Sequence, residues 1–267
     1  MLKKLKKIFR KKDKNRELDP RIAGILHINK AEKQKEIDSF TGLGVTLNKR
    51  KPRLIVSMTS YPERMYDMHF ALYSLLKQTL KPDEIILWLA EDEFPHGEKD
   101  VPDNVLNLKK HGVTIRFCED FKSFNKIIHA LKEYTDDVII SCDDDVFYEE
   151  NLLEDLYCAY LRNPDMIHAG RTVVITANCF GNILQYEKWT FIEGLNNHSG
   201  LSVFVTGAGG VLYPPNVNKS LANETTLNSR LFMDICPTAD DIWMWGMAVL
   251  SGIKINAVNN SDHLNYI

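Results

Sequence analysis

Cysteine is sparse and unpatterned in this 267-residue chain. The five cysteines, Cys118, Cys142, Cys158, Cys179 and Cys236, are odd in number and contain no CxxC pair. That argues against a disulfide framework or a zinc site and reads as reduced thiols in a cytosolic protein. No apolar run reaches the roughly 18 residues of a membrane span. The basic start is followed by more charge rather than by an apolar stretch, so no secretory signal is expected. The richest glycine run, Gly207-Ala208-Gly209-Gly210, lacks both GxGxxG spacing and a GK[ST] ending, so it is neither a dinucleotide-binding fingerprint nor a P-loop.

A general excess of positive charge is lacking too. The chain holds 33 Lys+Arg against 36 Asp+Glu, for a net charge of −3. That charge is divided unevenly. Residues 1–16 hold nine Lys/Arg and only Asp13 as an acid, a local +8 that leaves −11 for the remainder. An acidic body offers no groove for nucleic acid. Leu2, Leu5, Ile8 and Phe9 recur near helical spacing with lysines opposite. This pattern suits a helix lying on an anionic membrane surface, with a solvated basic tail as the plain alternative. Residues 1–52 are therefore read as a basic segment and connector, with one helix at Lys30–Asp38, and residues 53–267 as the ordered domain. A composition 44% apolar and 26% charged is ordinary for a globular protein.

The most informative stretch runs from Asp136 to Tyr148. Val138–Cys142 is β-rich and too short for a helix. Asp143, Asp144 and Asp145 follow at once. Three adjacent like charges repel, which favours a cation nearby. Hard divalent ions take oxygen ligands and commonly sit between one or two carboxylates and a phosphate. If the strand continues, Asp143 and Asp145 share a face and Asp144 points away. The alternative is a solvated acidic turn capping the next helix.

Around this stretch the pattern alternates. Strands are expected at Leu54–Met58, Glu84–Ala90, Val113–Phe117, Val138–Cys142, Met166–Ala169 and Ile253–Val258. Helices are expected at Met68–Gln78, Ser123–Tyr134, Asn151–Leu161 and from Thr238, as cap, through Leu250. Residues 91–105 read as a surface loop and residues 172–205 as irregular and rich in aromatics and amides, including Phe180, Tyr186, Trp189, Asn196 and Asn197. The alternation predicts βαβ units and a mainly parallel α/β sheet. Ligands bind such sheets beyond the carboxyl ends of the strands. Thr59–Arg64, Glu119-Asp120 and Asp143–Asp145 all fall on that edge. Asp240 and Asp241 form a second acidic centre, either a helix first turn or a general base with Trp243 and Trp245 beside it.

Five pieces now stand in order: Ile55–Arg64, Lys126, Asp143–Asp145, Thr206–Pro215 and Ala239–Trp243. Together they resemble GT-A type glycosyltransferases, close to the family 2-like enzymes of bacterial polysaccharide assembly. The resemblance implies a Rossmann-like GT-A fold. It implies that Asp143 and Asp145 hold Mn²⁺ or Mg²⁺ on a nucleotide-sugar diphosphate, with Asp144 facing the ribose. Thr59, Tyr61, Arg64 and Lys126 would belong to the nucleotide pocket, and Gly207, Gly209 and Gly210 to the sugar site. Asp241 would be the base of an inverting reaction, with Asp240 beside it. The partners would be a nucleotide-sugar donor, with UDP-sugar expected, and a glycan or lipid-linked acceptor at the inner membrane face. His263, in a turn-like context, is set aside as a ligand. A sugar-nucleotide nucleotidyltransferase would want a glycine-rich basic loop after the first strand, and Thr59–Arg64 has one arginine and no glycine. An inactive, membrane-tethered nucleotide- or glycan-binding relative is the non-enzymatic alternative.

Overall fold

The computed structural model describes residues 26–191, 198–259 and 264–267. The basic 1–16 segment, Asn196, Asn197 and His263 lie outside these. The described chain opens with strand β1 (Leu26–His27) and helix α1 (Lys30–Ser39). Asn29 caps α1 by accepting the Glu32 N–H at 3.3 Å. Then come β2 (Leu54–Thr59), α2 (Met65–Leu76), β3 (Glu84–Ala90), the short α3 (Asp103–Leu106), β4 (Val113–Cys118), α4 (Asn125–Glu133) and β5 (Val138–Ser141). Beyond the acidic triplet follow β6 (Val146–Phe147), α5 (Leu152–Arg162), β7 (Ile167–Ala169), β8 (Thr172–Val174), β9 (Ser199–Gly200), β10 (Val203–Val205) and β11 (Val211–Tyr213). The chain closes with α6 (Pro215–Leu221), α7 (Ser229–Ile235), α8 (Asp240–Leu250), β12 (Ile255–Ala257) and β13 (Asn265–Tyr266).

Eight strands form the central sheet in the order β4-β3-β2-β5-β11-β7-β12-β9. The first four run parallel, with Ser57 level with Ile86 on one side and Ser141 on the other. Their side chains are mostly apolar on both faces, as suits a sheet covered on both sides. Leu54, Val56 and Met58 pack with Met68, Leu72 and Leu75 of α2 and with Leu153 and Leu156 of α5. Ile55 and Ile139 pack with Ile127, Ile128 and Leu131 of α4 and with Trp243 and Met244 of α8. Each such side chain, fully buried, contributes about 1.5–3 kcal/mol.

Strand β11 departs from the parallel rule. It runs antiparallel to both β5 and β7. This reversal matters for the site, because Val211 at its start lies level with Ser141 at the end of β5. The glycine run that precedes β11 is thereby delivered to the edge where the acidic triplet emerges. Two smaller sheets complete the fold: β8 with β10, and β1-β13-β6. The latter places Ile267 against the triplet, its N–H donating to the Asp145 carbonyl at 3.0 Å. Gln78, fully buried, anchors the same region. Its amide donates to the Glu149 carbonyl at 2.7 Å and accepts the Leu153 N–H at 2.9 Å.

The expected strands and helices are present with small shifts at their ends. Residues 172–205, expected to be irregular, contain β8, β9 and β10. The expected loop at 91–105 contains the short helix α3 and a 3₁₀ turn at Gly97–Asp100.

Candidate active site

The carboxyl ends of β2 and β5, the loop after β4 and the first turn of α8 enclose an open cleft of about 650 Å³. Each wall follows from its element. Strand β2 ends at Thr59, whose hydroxyl donates to the Trp88 carbonyl at 2.9 Å. Ser60, Tyr61 and Arg64 continue along the wall. The loop after β4 contributes Asp120 and Lys122, and α8 contributes Asp240 and Asp241.

Alternation along β5 puts Ile139 and Ser141 on the α4 side, and Asp143 follows them. Its Oδ1 accepts from Lys126 Nζ at 2.6 Å. The extended conformation then ends, because Asp144 and Asp145 form a turn. Here the strict alternation expected from sequence fails. Asp144 and Asp145 both face Arg64, whose Nη1 lies 2.8 Å from Asp144 Oδ1 and 2.7 Å from Asp145 Oδ2. Asp144 also accepts from Ser60 Oγ at 2.6 Å. Burial pushes the Asp144 carboxyl up, while Ser60 and Arg64 hold it down less strongly.

Lys126 is the centre of the opposite wall. Its residue is 6% exposed, yet it carries its charge between two acids, Asp143 and Asp240 Oδ2 at 2.9 Å. Burial alone would lower its pKa; Asp143, Asp240 and Asp241 outweigh it and hold the ammonium well above its usual range. Its position is fixed from behind. Ser57 Oγ donates to the Lys126 carbonyl at 2.5 Å and accepts the Trp88 indole N–H at 2.9 Å.

Asp241 accepts the Gly207 N–H at 2.9 Å. Burial, joined by the neighbouring charges of Asp240 and Asp143, pushes its carboxyl up to about 7, against the pull of Lys126. A carboxyl so placed accepts protons near neutral pH. Thr238 does not cap α8 as expected. Ala239 occupies that position with no side-chain cap, and Thr238 lines the cleft.

The sequence candidates thus divide. Thr59, Tyr61, Arg64, Lys126, Asp143, Asp144, Asp145, Asp240 and Asp241 line one cleft. Gly207 backs it: a Cβ there would stand 2.9 Å from both Asp143 carboxylate oxygens and 3.1 Å from Lys126 Nζ. Gly209 and Gly210 face elsewhere. Gly209 lies against the Arg171 backbone, and Gly210, at φ +72°, against Leu152. Trp243 is buried and packs on Phe232. Trp245 joins Phe204, Trp189 and Tyr186 in an aromatic chain. Ser60 lies in the Thr59–Arg64 stretch placed on this edge, though no role was given to it; sequence reasoning missed Glu93, Lys122, Ser123 and Asn125, which also line the cleft. The signal for Lys122 and Asn125 was the strand-end position of the loop after β4.

The carboxylates suit a hard cation. Asp143 pairs through Oδ1 and Asp145 through Oδ2, which leaves one oxygen on each for another partner. Among the described residues no three His, Cys, Asp or Glu side chains converge as a complete ligand set. An oxygen-only pair with open positions is the habit of Mg²⁺ or Mn²⁺ sites completed by water and phosphate.

The profile of the family described as Glycosyl transferase family 2 matches residues 58–213, more than half of the chain and most of the cleft-bearing elements. The chain belongs to glycosyl transferase family 2. A solved structure of S. aureus TarS residues 1–349, in complex with UDP, resembles it with a TM-score of 0.51 at 12% identity, over 80% of this chain and 59% of that fragment. No curated protein matches the chain. The mixed sheet flanked by helices is the Rossmann-like GT-A arrangement expected of this family, and the family 2 profile ends at Tyr213, before α8 and its acids. No helix of the described residues is long and apolar enough to cross a membrane.

Proposed function

We propose that this chain is a divalent-cation-dependent glycosyltransferase of surface polysaccharide synthesis. It moves a sugar from a nucleotide-sugar to a hydroxyl of a glycan or lipid-linked acceptor, with inversion. The observation that carries this reading is the opposition of two acidic centres in one cleft. Asp143–Asp145 stand on one side, Asp240-Asp241 on the other, and Lys126 stands between them.

In this reading Asp143 and Asp145 hold Mg²⁺ or Mn²⁺. The cation would offset charge developing on the departing diphosphate. Arg64 and Lys126 lie close enough to share that task, and Thr59, Tyr61 and Asp144 take part in the nucleotide pocket. Gly207 keeps the Asp143–Lys126 corner open. Asp241 takes the proton of the acceptor hydroxyl as that oxygen forms its bond to the anomeric carbon. The bond from that carbon to the diphosphate breaks, and a nucleoside diphosphate leaves. Gly209 and Gly210 act only by shaping the loop.

The TarS fragment was crystallised with UDP, which supports a uridine nucleotide as the first donor to test. The test is thermal stability with UDP, GDP, CMP and UDP-sugars, each with Mn²⁺ and with EDTA. Ligand bound only to the native state raises Tm by mass action. A cation-dependent rise with one nucleotide, absent in Asp145→Ala, is the expected result. No rise with any nucleotide would sink the donor reading. Asp241→Asn is expected to keep the rise and lose transfer.

The nine cations of residues 1–16 support a peripheral seat on an anionic membrane, at about 1 kcal/mol per basic residue near the surface. Co-sedimentation with anionic vesicles, with and without residues 1–16, tests it. Equal binding by both would end the membrane reading.

A further inference from the structure

The acids that would hold the cation are already paired, and the two pairs differ in kind. The Lys126 pair is deep: side-chain exposure is 8% for Lys126, 25% for Asp143 and 9% for Asp240. The Arg64 pair with Asp145 is shallow, at 39% and 38%. Breaking a buried pair strands a charge, whereas a half-solvated pair opens at little cost. Asp144 has Ser60 as a second partner and is 12% exposed, so it stays when Arg64 moves. Asp145 has only Arg64 among the charged groups of the described residues. Beyond Asp144 and Asp145, Arg64 is held by Nε to the Tyr61 hydroxyl at 3.1 Å and by its guanidinium 5.7 Å from the exposed Tyr61 ring.

We propose that Arg64 serves as the counter-cation of Asp145 until the diphosphate of the donor draws it away, which makes cation and nucleotide bind cooperatively. The inference rests on the donor reading above. Lys126 keeps its place on Asp143 Oδ1 throughout, and Asp143 offers its other oxygen. A guanidinium meets phosphate in the same forked geometry it offers a carboxylate. The nucleotide therefore removes from Asp145 the charge that competes with the metal. By linkage, the cation raises nucleotide affinity by the same factor.

The experiment measures free Mn²⁺ by electron paramagnetic resonance over the full chain at fixed salt, with and without UDP. The proteins are wild type, Arg64→Met, Lys122→Met and Asp145→Ala. Without UDP, Arg64→Met is expected to bind Mn²⁺ about fivefold more tightly than wild type, the scale of one half-exposed ion pair. The enhancement by UDP is expected to shrink in that variant. Lys122→Met controls for general loss of positive charge. Lys122 lines the same cleft but pairs with Asp120 and Glu93, so its removal is expected to change Mn²⁺ affinity less than twofold. Asp145→Ala is expected to lose most Mn²⁺ binding. Unchanged or weaker Mn²⁺ binding in Arg64→Met, with Asp145→Ala defective, overturns the Arg64 inference and leaves the donor reading standing. Equal gains in Arg64→Met and Lys122→Met also overturn it, as bulk electrostatics. Full Mn²⁺ affinity in Asp145→Ala overturns both. Melting curves of each variant confirm that the fold is intact.

Discussion

Replacing Gly209 by alanine tests whether the glycine run is shaped by packing or by ligand. A Cβ at Gly209 would lie 2.2 Å from the Arg171 amide nitrogen and 2.8 Å from its Cα. Those are backbone atoms at the start of β8, and they cannot turn aside. The residue before Arg171 is as close, since Gly170 would carry a Cβ 2.4 Å from the Gly209 carbonyl oxygen. Overpacking of this kind costs about 1–3 kcal/mol. Reduced freedom of the unfolded chain returns about 0.4–1 kcal/mol. The net loss is about 1–2 kcal/mol, or a fall in Tm of roughly 3–6 °C for a domain of this size. Gly207→Ala is the matched comparison. The three atoms its new methyl would meet first are side-chain ends, those of Asp143 and Lys126, which give more readily than backbone. Its Tm is expected to stay within about 2 °C of wild type, while the thermal shift given by UDP with Mn²⁺ shrinks. Calorimetry of the three proteins, alone and with ligand, reads both effects. A Gly209→Ala protein that melts with the wild type would refute the close-approach reasoning, as would a Gly207→Ala protein that loses as much stability.

Three further outcomes follow from the same geometry. The Asp241 carboxyl is raised from 3.8 to about 7 in the folded chain, so the folded state holds more protons than the unfolded between those values and stability falls as pH rises through that window. Asp241→Asn is therefore expected to melt above wild type at pH 8, with the gap closing toward pH 4; in the wild type, transfer should rise with pH through about 7. Lys126→Met leaves Asp143 and Asp240 facing each other without their buried cation, and should cost about 3–5 kcal/mol in chemical denaturation. Gln78→Leu orphans the buried Leu153 N–H and removes a donor from the Glu149 carbonyl, and should cost about 2–4 kcal/mol by the same assay.

Much of this arrangement was legible in the sequence because it is local. The apolar run Val138–Cys142, bounded by acids, carries its own strand signal, and the alternation from Arg53 onward carries the parallel sheet. The carboxyl-end rule then gathered Thr59–Arg64 and Asp143–Asp145 without any contact information. What the sequence hid depends on distant parts of the chain. The facing of Asp144 and Asp145 is set by a turn and by Arg64, 80 residues away from Asp144. Helices α6 and α7 are seven residues each, too short for a periodic signal. Strands β1, β6 and β13 are two-residue pieces that exist only because they pair with one another. The family resemblance put Gly209 and Gly210 at the sugar site; the neighbours a side chain there would meet, Arg171 and Leu152, come from distant parts of the chain.

The hydrogen-bonded line from the Trp88 indole through Ser57 Oγ to the Lys126 carbonyl also makes the site optically visible. Trp88 lies on β3, two hydrogen bonds from Lys126, whose ammonium is central to the site. Trp245 lies one helical turn beyond Asp241, its indole donating to the Leu201 carbonyl at 3.1 Å. Two of the four tryptophans, Trp88 and Trp245, thus stand behind the walls that carry Lys126 and Asp241. Replacing each of the four tryptophans in turn by phenylalanine would assign the emission that responds when a compound is titrated, without a label.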